Sequence, residues 1–256
     1  MSGGFFNTFF TEPLYNGLVF LISSIPAIDV GVAIIIFTIL VRLLLFPLSK
    51  KAIETQIAMK RIEPELAELK KRFKGNLQAQ GQATFELYRR HKIKPFSSFL
   101  LILVQLPIIF ALYKIFVASG LPAVDFKALY SFTPAPSEVN IIFLGLIDIT
   151  KRSLPLALLA GISQFAQAKF ALPPPKPRSK SDKPSFSEDF AHGMHIQMSY
   201  VFPIITFAIT YSISGAVALY WTTSNIFSVF QEIFVRRRPV EPPAAKGNEG
   251  GVGKQT

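Results

Sequence analysis

One arginine lies inside a long apolar stretch near the start of the chain. The nineteen residues from Val30 to Leu48 are apolar enough to cross the core of a bilayer, yet they include Arg42. A guanidinium group keeps its charge at any physiological pH, and placing one at the centre of a membrane helix costs roughly 3 kcal/mol on insertion scales. Arg42 must therefore bind a partner, line a hydrated cavity or reach the interface.

The ordinary partner for such an arginine is a carboxylate on a neighbouring apolar segment. Glu232 is the only acidic residue in the other apolar segments, and it lies at the end of one. Two interpretations stay open. Arg42 precedes Leu48 by six residues, which is about 9 Å of helix rise, so its side chain could snorkel to the interface. Alternatively, it lines a functional cavity of polar side chains.

The other polar groups of the apolar segments carry no charge, which argues against catalysis. The chain has no cysteine, no glycine-rich phosphate loop, no His-Glu-x-x-His zinc helix and no Gly-x-Ser-x-Gly nucleophile elbow. His192 and His195 lack a third metal ligand. We therefore predict a protein that is not an enzyme and uses no metal or cofactor. A single cation, Arg42, among neutral polar groups is suited to binding a charged or polar segment of another molecule for a time. The neutral groups are Thr38, Gln105, Gln164, Gln167, Thr222 and Asn225.

The composition is typical of an integral membrane protein. Of the 256 residues, 50% are hydrophobic and 17% are charged, and the mean hydropathy is +0.38. The net charge of +11 does not indicate specific nucleic-acid binding, because the basic residues collect in a few segments between apolar runs. That distribution is explained by orientation in a membrane.

The apolar runs predict an all-α protein with five transmembrane helices. The densest basic block, with twelve Lys or Arg against five Glu, lies between the first two runs. The positive-inside rule places this block in the cytoplasm, so the N-terminus lies outside and five crossings return the C-terminus to the cytoplasm. The expected spans are 29–48, 95–117, 154–172, 198–213 and 216–235.

The connecting segments complete the expected organisation. Residues 1–28 predict a short amphipathic helix in the outer interface, and an ordinary packing helix is the alternative. Residues 49–94 predict a cytoplasmic helical hairpin, because apolar residues recur there at helical spacing. The remaining segments are an extracytoplasmic loop at 118–153, a cytoplasmic loop at 173–197 and a basic, disordered cytoplasmic tail at 236–256.

Five groups of residues carry a family resemblance that covers nearly the whole chain. They are VRLLLFPLSKK; MKRIEPELAELKKRF with LYRRHKIKPF; VQLPIIFALY; FLGLIDITKRSLPLALLAGISQFAQAKF; and FPIITFAITYSISGAVALYWTTSNIFSVFQEIF. In this order they resemble the YidC-type membrane protein insertases, a family that includes the mitochondrial oxidase-assembly and chloroplast Albino proteins. Where that family often has Asn-Pro and then Gly and Cys-Leu-Pro, this chain has Lys94-Pro95 and then 96–99. The large periplasmic domain and the lipoprotein signal of some members are not visible, so we expect a compact bacterial form.

The resemblance assigns roles to individual residues. It implies that Arg42 is the positive charge of a hydrophilic groove that opens to the cytoplasm and the lipid and is closed outside. Gln105 and Gln167 match polar positions of the second and third spans, and Trp221 matches an aromatic residue beside the groove. Gln164 is included because it faces the same way as Gln167.

The resemblance also implies an activity and partners. It implies insertion of nascent membrane proteins into the lipid bilayer without nucleotide hydrolysis, together with help in folding, in a bacterial plasma membrane. The ribosome is a candidate partner of the hairpin and of the basic cluster Arg236–Arg238, and the Sec translocon is another. Two alternatives remain: an assembly chaperone without insertion activity, and a small-solute transporter. A transporter should show a repeat between its halves, and none is visible in the sequence.

Overall fold

The computed structural model describes a mostly helical chain. It covers residues 4–25, 28–94, 105–111, 113–118, 124–136, 138–171, 193 and 195–237. Three expectations lie outside these residues: the junction and start of the second span at 95–104, the larger part of the loop at 173–197, including His192, and the tail from residue 238.

The first five helices follow one another with short connections. A π-helical turn at Asn7–Thr11 leads into α1 (Glu12–Ser24), and the next helices are α2 (Val30–Leu44), α3 (Phe46–Arg61), α4 (Glu63–Arg72) and α5 (Leu77–Arg90). Residues 105–111 form α6, and a π-helical segment follows at Lys114–Ala118. After a 3₁₀ turn at Phe126–Ala128 come β1 (Ile142–Phe143), β2 (Ile147–Asp148) and α7 (Leu154–Ala171). A π-helical turn at Gln197–Val201 then precedes α8 (Phe202–Ile213) and α9 (Gly215–Arg237).

The first expected span is bent rather than straight. Among the described residues, no single helix has both the length and the apolarity to cross a membrane, but α2 and α3 do so as a pair whose axes differ by 62°. The break lies at Leu45, and Pro47 follows in the first turn of α3. Proline has no N–H to donate, and its ring clashes with the carbonyl four residues earlier, here that of Leu43. The structure thus replaces the single helix expected at 29–48 with two helices.

α9 is the central helix of the bundle. It packs against α7, α2, α3 and α8, and α7 also packs against α8. Small residues permit these close approaches: a Cβ added to Gly161 of α7 would lie 3.1 Å from the Cβ of Phe207 on α8. Small residues of this kind are typical of helix contacts in membranes, where backbones approach closely. α9 continues to Arg237, so the first two arginines of the expected tail are helical.

The loop expected to be extracytoplasmic at 118–153, which we call the external loop, contains a short apolar run that forms a β-hairpin, which the all-α prediction missed. β1 and β2 pair antiparallel, with Ile142 opposite Asp148. The N–H of Val30, the first residue of α2, donates to the carbonyl of Asn140 at 2.8 Å. A Cβ on Gly31 would lie 2.3 Å from the ring of Phe143, so only glycine permits this contact. The hairpin therefore lies against the beginning of α2.

Asp29 joins the hairpin to α2 through both carboxylate oxygens. Its Oδ1 accepts from the N–H of Val32 at 2.9 Å and so caps α2, while Oδ2 accepts from the N–H of Leu144 at 3.1 Å. Leu144 has a φ of +52°, a left-handed conformation that costs about 1 to 2 kcal/mol for a residue with a side chain. The Asp29 contact holds the backbone in that conformation.

The residues after β2 accept hydrogen bonds from the first N–H groups of α9. The carbonyls of Lys151 and Ile149 accept from the N–H groups of Gly215 and Ala216 at 2.8 and 2.9 Å. The first N–H groups of a helix have no partner within the helix, so these bonds replace a side-chain cap. The external loop thus covers the beginnings of both α2 and α9.

α1 packs against α2 and the external loop. Its buried residues include Tyr15, Leu18 and Ile22. The side chain of Asn16 accepts from the N–H of Tyr130 at 2.7 Å and donates to the carbonyl of Ala128 at 2.9 Å. Asn16 thus attaches α1 to the external loop.

Within the segment 49–94, α4 and α5 pack against each other as a helical hairpin. Ile62, Leu87 and Ile93 are buried where the two helices meet. Gly75, with a φ of +94°, makes the turn, and Asn76 caps α5 by accepting from the N–H of Ala79 at 3.0 Å. α3 connects this hairpin to the bundle.

Removing the Asn16 side chain tests the attachment of the external loop to α1. We expect Asn16→Ala to lower the free energy of unfolding by about 2 kcal/mol, because the half-buried N–H of Tyr130 and carbonyl of Ala128 would lose their partner, the buried Asn16 side chain. Ser23→Ala is the matched control, since it removes a bond to the carbonyl of Pro134 that is exposed; its effect should stay below about 1 kcal/mol. Equilibrium unfolding in mixed micelles measures both values, and equal values would contradict the role of Asn16.

Candidate functional site

Arg42 reaches sideways from α2 to the middle of α9. Its Nε donates to Oγ of the buried Ser224 at 2.8 Å, and its Nη2 donates to the same oxygen. Arg42 is itself half-buried, and no carboxylate in the described part of the chain lies at ion-pair distance from it. A neutral hydroxyl on another helix therefore meets the charge of Arg42.

The contact between Gln105 and Tyr220 lies one helical turn from Ser224. The Nε2 of Gln105 donates to the hydroxyl of Tyr220 at 2.5 Å, and Tyr220 is buried. Tyr220 and Ser224 are four residues apart and therefore share a face of α9. Arg42 and Gln105, which lie on different helices, bind to this one face.

The same face of α9 supports the bend between α2 and α3. Gln231, seven residues after Ser224, donates to Oγ of Ser49 at 2.9 Å and to the carbonyl of Phe46 at 3.4 Å. Ser49 in turn donates to the carbonyl of Leu45 at 2.8 Å. Gln231 thus contacts the chain directly at the bend.

A second polar face of α9 points to α7. The indole Nε1 of Trp221 donates to Oε1 of Gln164 at 2.9 Å, and Nε2 of Gln164 donates to Oε1 of Gln167 at 3.0 Å. One turn further, Asn225 donates from Nδ2 to Oγ of Ser163 at 3.1 Å. The contacts form a short polar line between two otherwise apolar helices.

The last turn of α9 fixes the end of α7. Arg236 donates from Nε to Oε1 of Glu232 at 2.6 Å and from Nη2 to the carbonyl of Ala171 at 3.2 Å. Glu232 is buried and follows Asn225 by seven residues, so it continues the second polar face. The carboxylate that the sequence offered as a partner for Arg42 is therefore engaged by Arg236.

Six of the eight polar residues singled out from the sequence form hydrogen bonds with other side chains of the described part of the chain. The other two are Thr222 and Thr38, and the hydroxyl of Thr38 donates to the backbone carbonyl of Ile34 in its own helix at 2.6 Å. Six polar residues of this network were not assigned to the site from the sequence; they are Ser49, Ser163, Tyr220, Ser224, Gln231 and Glu232. Helical spacing could have identified the members on α9. Residues 220, 224 and 231 share one face of that helix, and residues 221, 225 and 232 share the next.

A model of the family described as 60Kd inner membrane protein matches residues 21–242 of the chain. The chain belongs to this family. The match includes the helices that carry Arg42, Gln105, Gln164 and Trp221. It also confirms the recognition of the YidC family from the motifs.

Relatives within the 60Kd inner membrane protein family differ in length. A protein of Fusobacterium nucleatum named membrane protein insertase YidC is 32% identical over 209 residues, covering 81% of this chain and 86% of the relative. One of the same name from Oceanobacillus iheyensis is 31% identical, covering 92% of this chain and 85% of the relative. A third, from Bradyrhizobium diazoefficiens, is 29% identical over 90% of this chain but only 36% of the relative's length.

A double-mutant cycle tests the bond between α7 and α9. We expect Gln164→Leu and Trp221→Phe to show a coupling energy of about 0.6 to 1.7 kcal/mol, the range found for hydrogen bonds between membrane helices. Unfolding in mixed micelles measures the four free energies.

The emission of Trp221, the only tryptophan in the chain, gives a second measurement. Gln164→Leu should shift the emission to shorter wavelength, because the indole N–H loses its acceptor. Gln105→Leu is the control, since Gln105 bonds to Tyr220 and not to Trp221. A shift with the control and none with Gln164→Leu would refute the assigned contact.

Proposed function

We propose that this protein is a membrane protein insertase, and that the polar faces of α9 hold the polar part of a nascent membrane protein while its apolar segment enters the lipid. Membership of the family and the names of the relatives support the activity. The observation that carries the site is Arg42, whose charge is met by the hydroxyl of Ser224. We propose that insertion proceeds without nucleotide hydrolysis and that the same surface aids folding.

The proposed step is an exchange of partners at Arg42. A hydrogen bond from a guanidinium to a carboxylate is shorter and roughly twice as strong as one between neutral groups. An acidic residue in the tail of a substrate would therefore displace Ser224 from the guanidinium, whose five N–H groups allow a two-pronged contact. Binding would hold the tail partway across the bilayer and shorten its remaining polar path.

The driving force would come from the apolar segment and the membrane potential. A segment of about 20 apolar residues is long enough to span the hydrocarbon core and partitions into it favourably. The potential adds about 2.3 kcal/mol per charge and 100 mV when an acidic tail moves outward. The outward faces of α7 and α8 offer an apolar path, with exposed Leu158, Ile162, Ile204 and Ile209.

We further propose the topology that such a path requires. The spans would be 29–48, 95–117, 154–172, 198–213 and 216–235, with the N-terminus outside and the C-terminus in the cytoplasm. The external loop, which covers the beginnings of α2 and α9, would close the site on the outer side. The site would then open towards the cytoplasm and the lipid of a bacterial plasma membrane.

The proposed partners follow from this placement. Nascent membrane proteins are the substrates, and the basic surface of the α4–α5 hairpin would receive them from the ribosome. The Sec translocon is a further proposed partner. Specific binding to a nucleic acid is not part of the proposal.

Insertion into vesicles tests the role of Arg42. The substrate is a single-span protein with either an acidic or a neutral tail, and insertion is measured by protection of its tail from protease. We expect Arg42→Ala to reduce insertion of the acidic substrate by about tenfold, which corresponds to 1.4 kcal/mol, and to affect the neutral substrate less. Arg42→Lys, which keeps the charge, should retain most of the activity.

Two results would contradict parts of this proposal. Equal insertion with Arg42 and Arg42→Ala would remove the arginine from the mechanism. Equal insertion in vesicles with and without the protein would remove the insertase assignment, and retained binding of inserted proteins would then favour the assembly chaperone.

Single cysteines test the topology, because the chain has none of its own. Cysteines at the exposed positions Glu138 and Leu77 lie on opposite sides in the proposed topology. In intact right-side-out vesicles, we expect a membrane-impermeant maleimide to label position 138 and to label position 77 only after permeabilisation. Labelling of both positions in intact vesicles would contradict the assigned crossings.

A further inference from the structure

Two leucines protrude from the turn of the β-hairpin. The side chains of Leu144 and Leu146 are 64% and 83% exposed, and they flank Gly145 between β1 and β2. We call this pair the leucine tip. Neither side chain contributes to the core of the hairpin, which Phe143 and Ile147 supply on its two strands.

The leucine tip is held in place by the rest of the external loop. The N–H of Leu146 donates to the carbonyl of Phe143 at 3.0 Å, and the N–H of Leu144 donates to Asp29 at 3.1 Å. Leu144 adopts a φ of +52°, a conformation that glycine or asparagine adopts more readily. A leucine at this position has an unfavourable backbone conformation. Its exposed side chain is also unfavourable in water unless something apolar covers it.

The position of the tip relative to the bundle identifies what covers it. The hairpin contacts the first residues of α2, and the segment after it contacts the first residues of α9. The tip therefore lies at the level where these helices begin. Lys151 and Arg152 are exposed and follow within six residues of Leu146, where long cationic side chains can reach the headgroup region. Lys151 also pairs with Asp148 at 3.0 Å, and its side chain is still largely exposed.

A second exposed apolar surface lies on α7. Leu154, Leu158 and Ile162 are exposed and recur every four residues, so they form one outward stripe that starts eight residues after Leu146. In the proposed topology this stripe faces hydrocarbon. The chain thus exposes apolar side chains both at the leucine tip and along α7.

We propose that the leucine tip inserts into the outer leaflet and anchors the external loop to the lipid surface. The inference rests on the membrane placement given under the proposed function. Lys151 and Arg152 would contact the headgroups while Leu144 and Leu146 enter the acyl region. The anchor would fix the hairpin that covers the beginnings of α2 and α9, and so keep the outer side of the site closed.

Depth-dependent fluorescence quenching in vesicles tests the anchor. The full chain carries the single substitution Leu146→Cys, and the cysteine is labelled with an environment-sensitive fluorophore. The vesicles are made of phosphatidylethanolamine and phosphatidylglycerol, and they contain lipids that are spin-labelled near the top of the acyl chain as quenchers. Leu158→Cys is the control for a lipid-facing position. Leu77→Cys is the control for a leucine in α5 that is as exposed, at 84% against 83%.

We expect the label at position 146 to be quenched as strongly as the label at 158, and the label at 77 to be unquenched. A label at 146 that is as weakly quenched as the one at 77 would overturn the proposal. Because these vesicles contain no other protein, that result would mean that lipid does not cover the tip, even if another protein does so in the cell. An unquenched label at 158 would instead show that the proposed membrane placement fails.

A second variant separates lipid contact from turn formation. Leu144→Asn, made in the labelled chain, places a residue that tolerates the left-handed conformation and removes the apolar side chain. We expect weaker quenching at position 146 with an unchanged or higher unfolding temperature. Unchanged quenching would exclude Leu144 from the anchor, and a lower unfolding temperature would show that the leucine serves the turn instead.

Discussion

Helices in an apolar surrounding must satisfy their polar side chains from one another, and in this protein α9 supplies the partners. Arg42 of α2, Gln105 of α6 and Ser49 of α3 each bind a residue on one face of α9. Gln164 and Ser163 of α7 bind the neighbouring face. Because an unpaired polar group in hydrocarbon costs several kcal/mol, these contacts determine which helices can lie beside α9 and in which register.

The sequence predicted the helices and the central charge better than the contacts between them. Helical spacing and apolar length identified the elements, and Arg42 stood out because an arginine in an apolar helix requires an explanation. Its partner Ser224 did not stand out, since serine and threonine hydroxyls within a helix commonly bond to a backbone carbonyl of the same helix. Ser228 and Thr38 do so here. Only the relative rotation of α2 and α9 decides which serine faces the arginine, and that rotation depends on the whole bundle.

Two local features were missed for different physical reasons. The strands of the hairpin have two residues each, too few for the alternation that identifies a strand. The bend at Leu45 had a signal in Pro47, but proline is also accepted in the first turn of a helix, so it does not by itself distinguish a break from a continuous span. Gln231 of α9, far away in sequence, contacts the broken turn and stabilises it.

The two ends of the bundle are fastened in different ways. At the end that carries the β-hairpin, backbone N–H groups of α2 and α9 bond to backbone carbonyls of the external loop, and the carboxylate of Asp29 adds a bond to the N–H of Leu144. At the opposite end and in the middle, the contacts run between side chains, such as Arg42 with Ser224 and Arg236 with Glu232. Side chains can change partners by rotating, whereas backbone bonds of this kind break only when the segment moves. In the proposed exchange of Ser224 for a substrate carboxylate, rotation of the side chains would therefore leave the backbone bonds to the external loop in place.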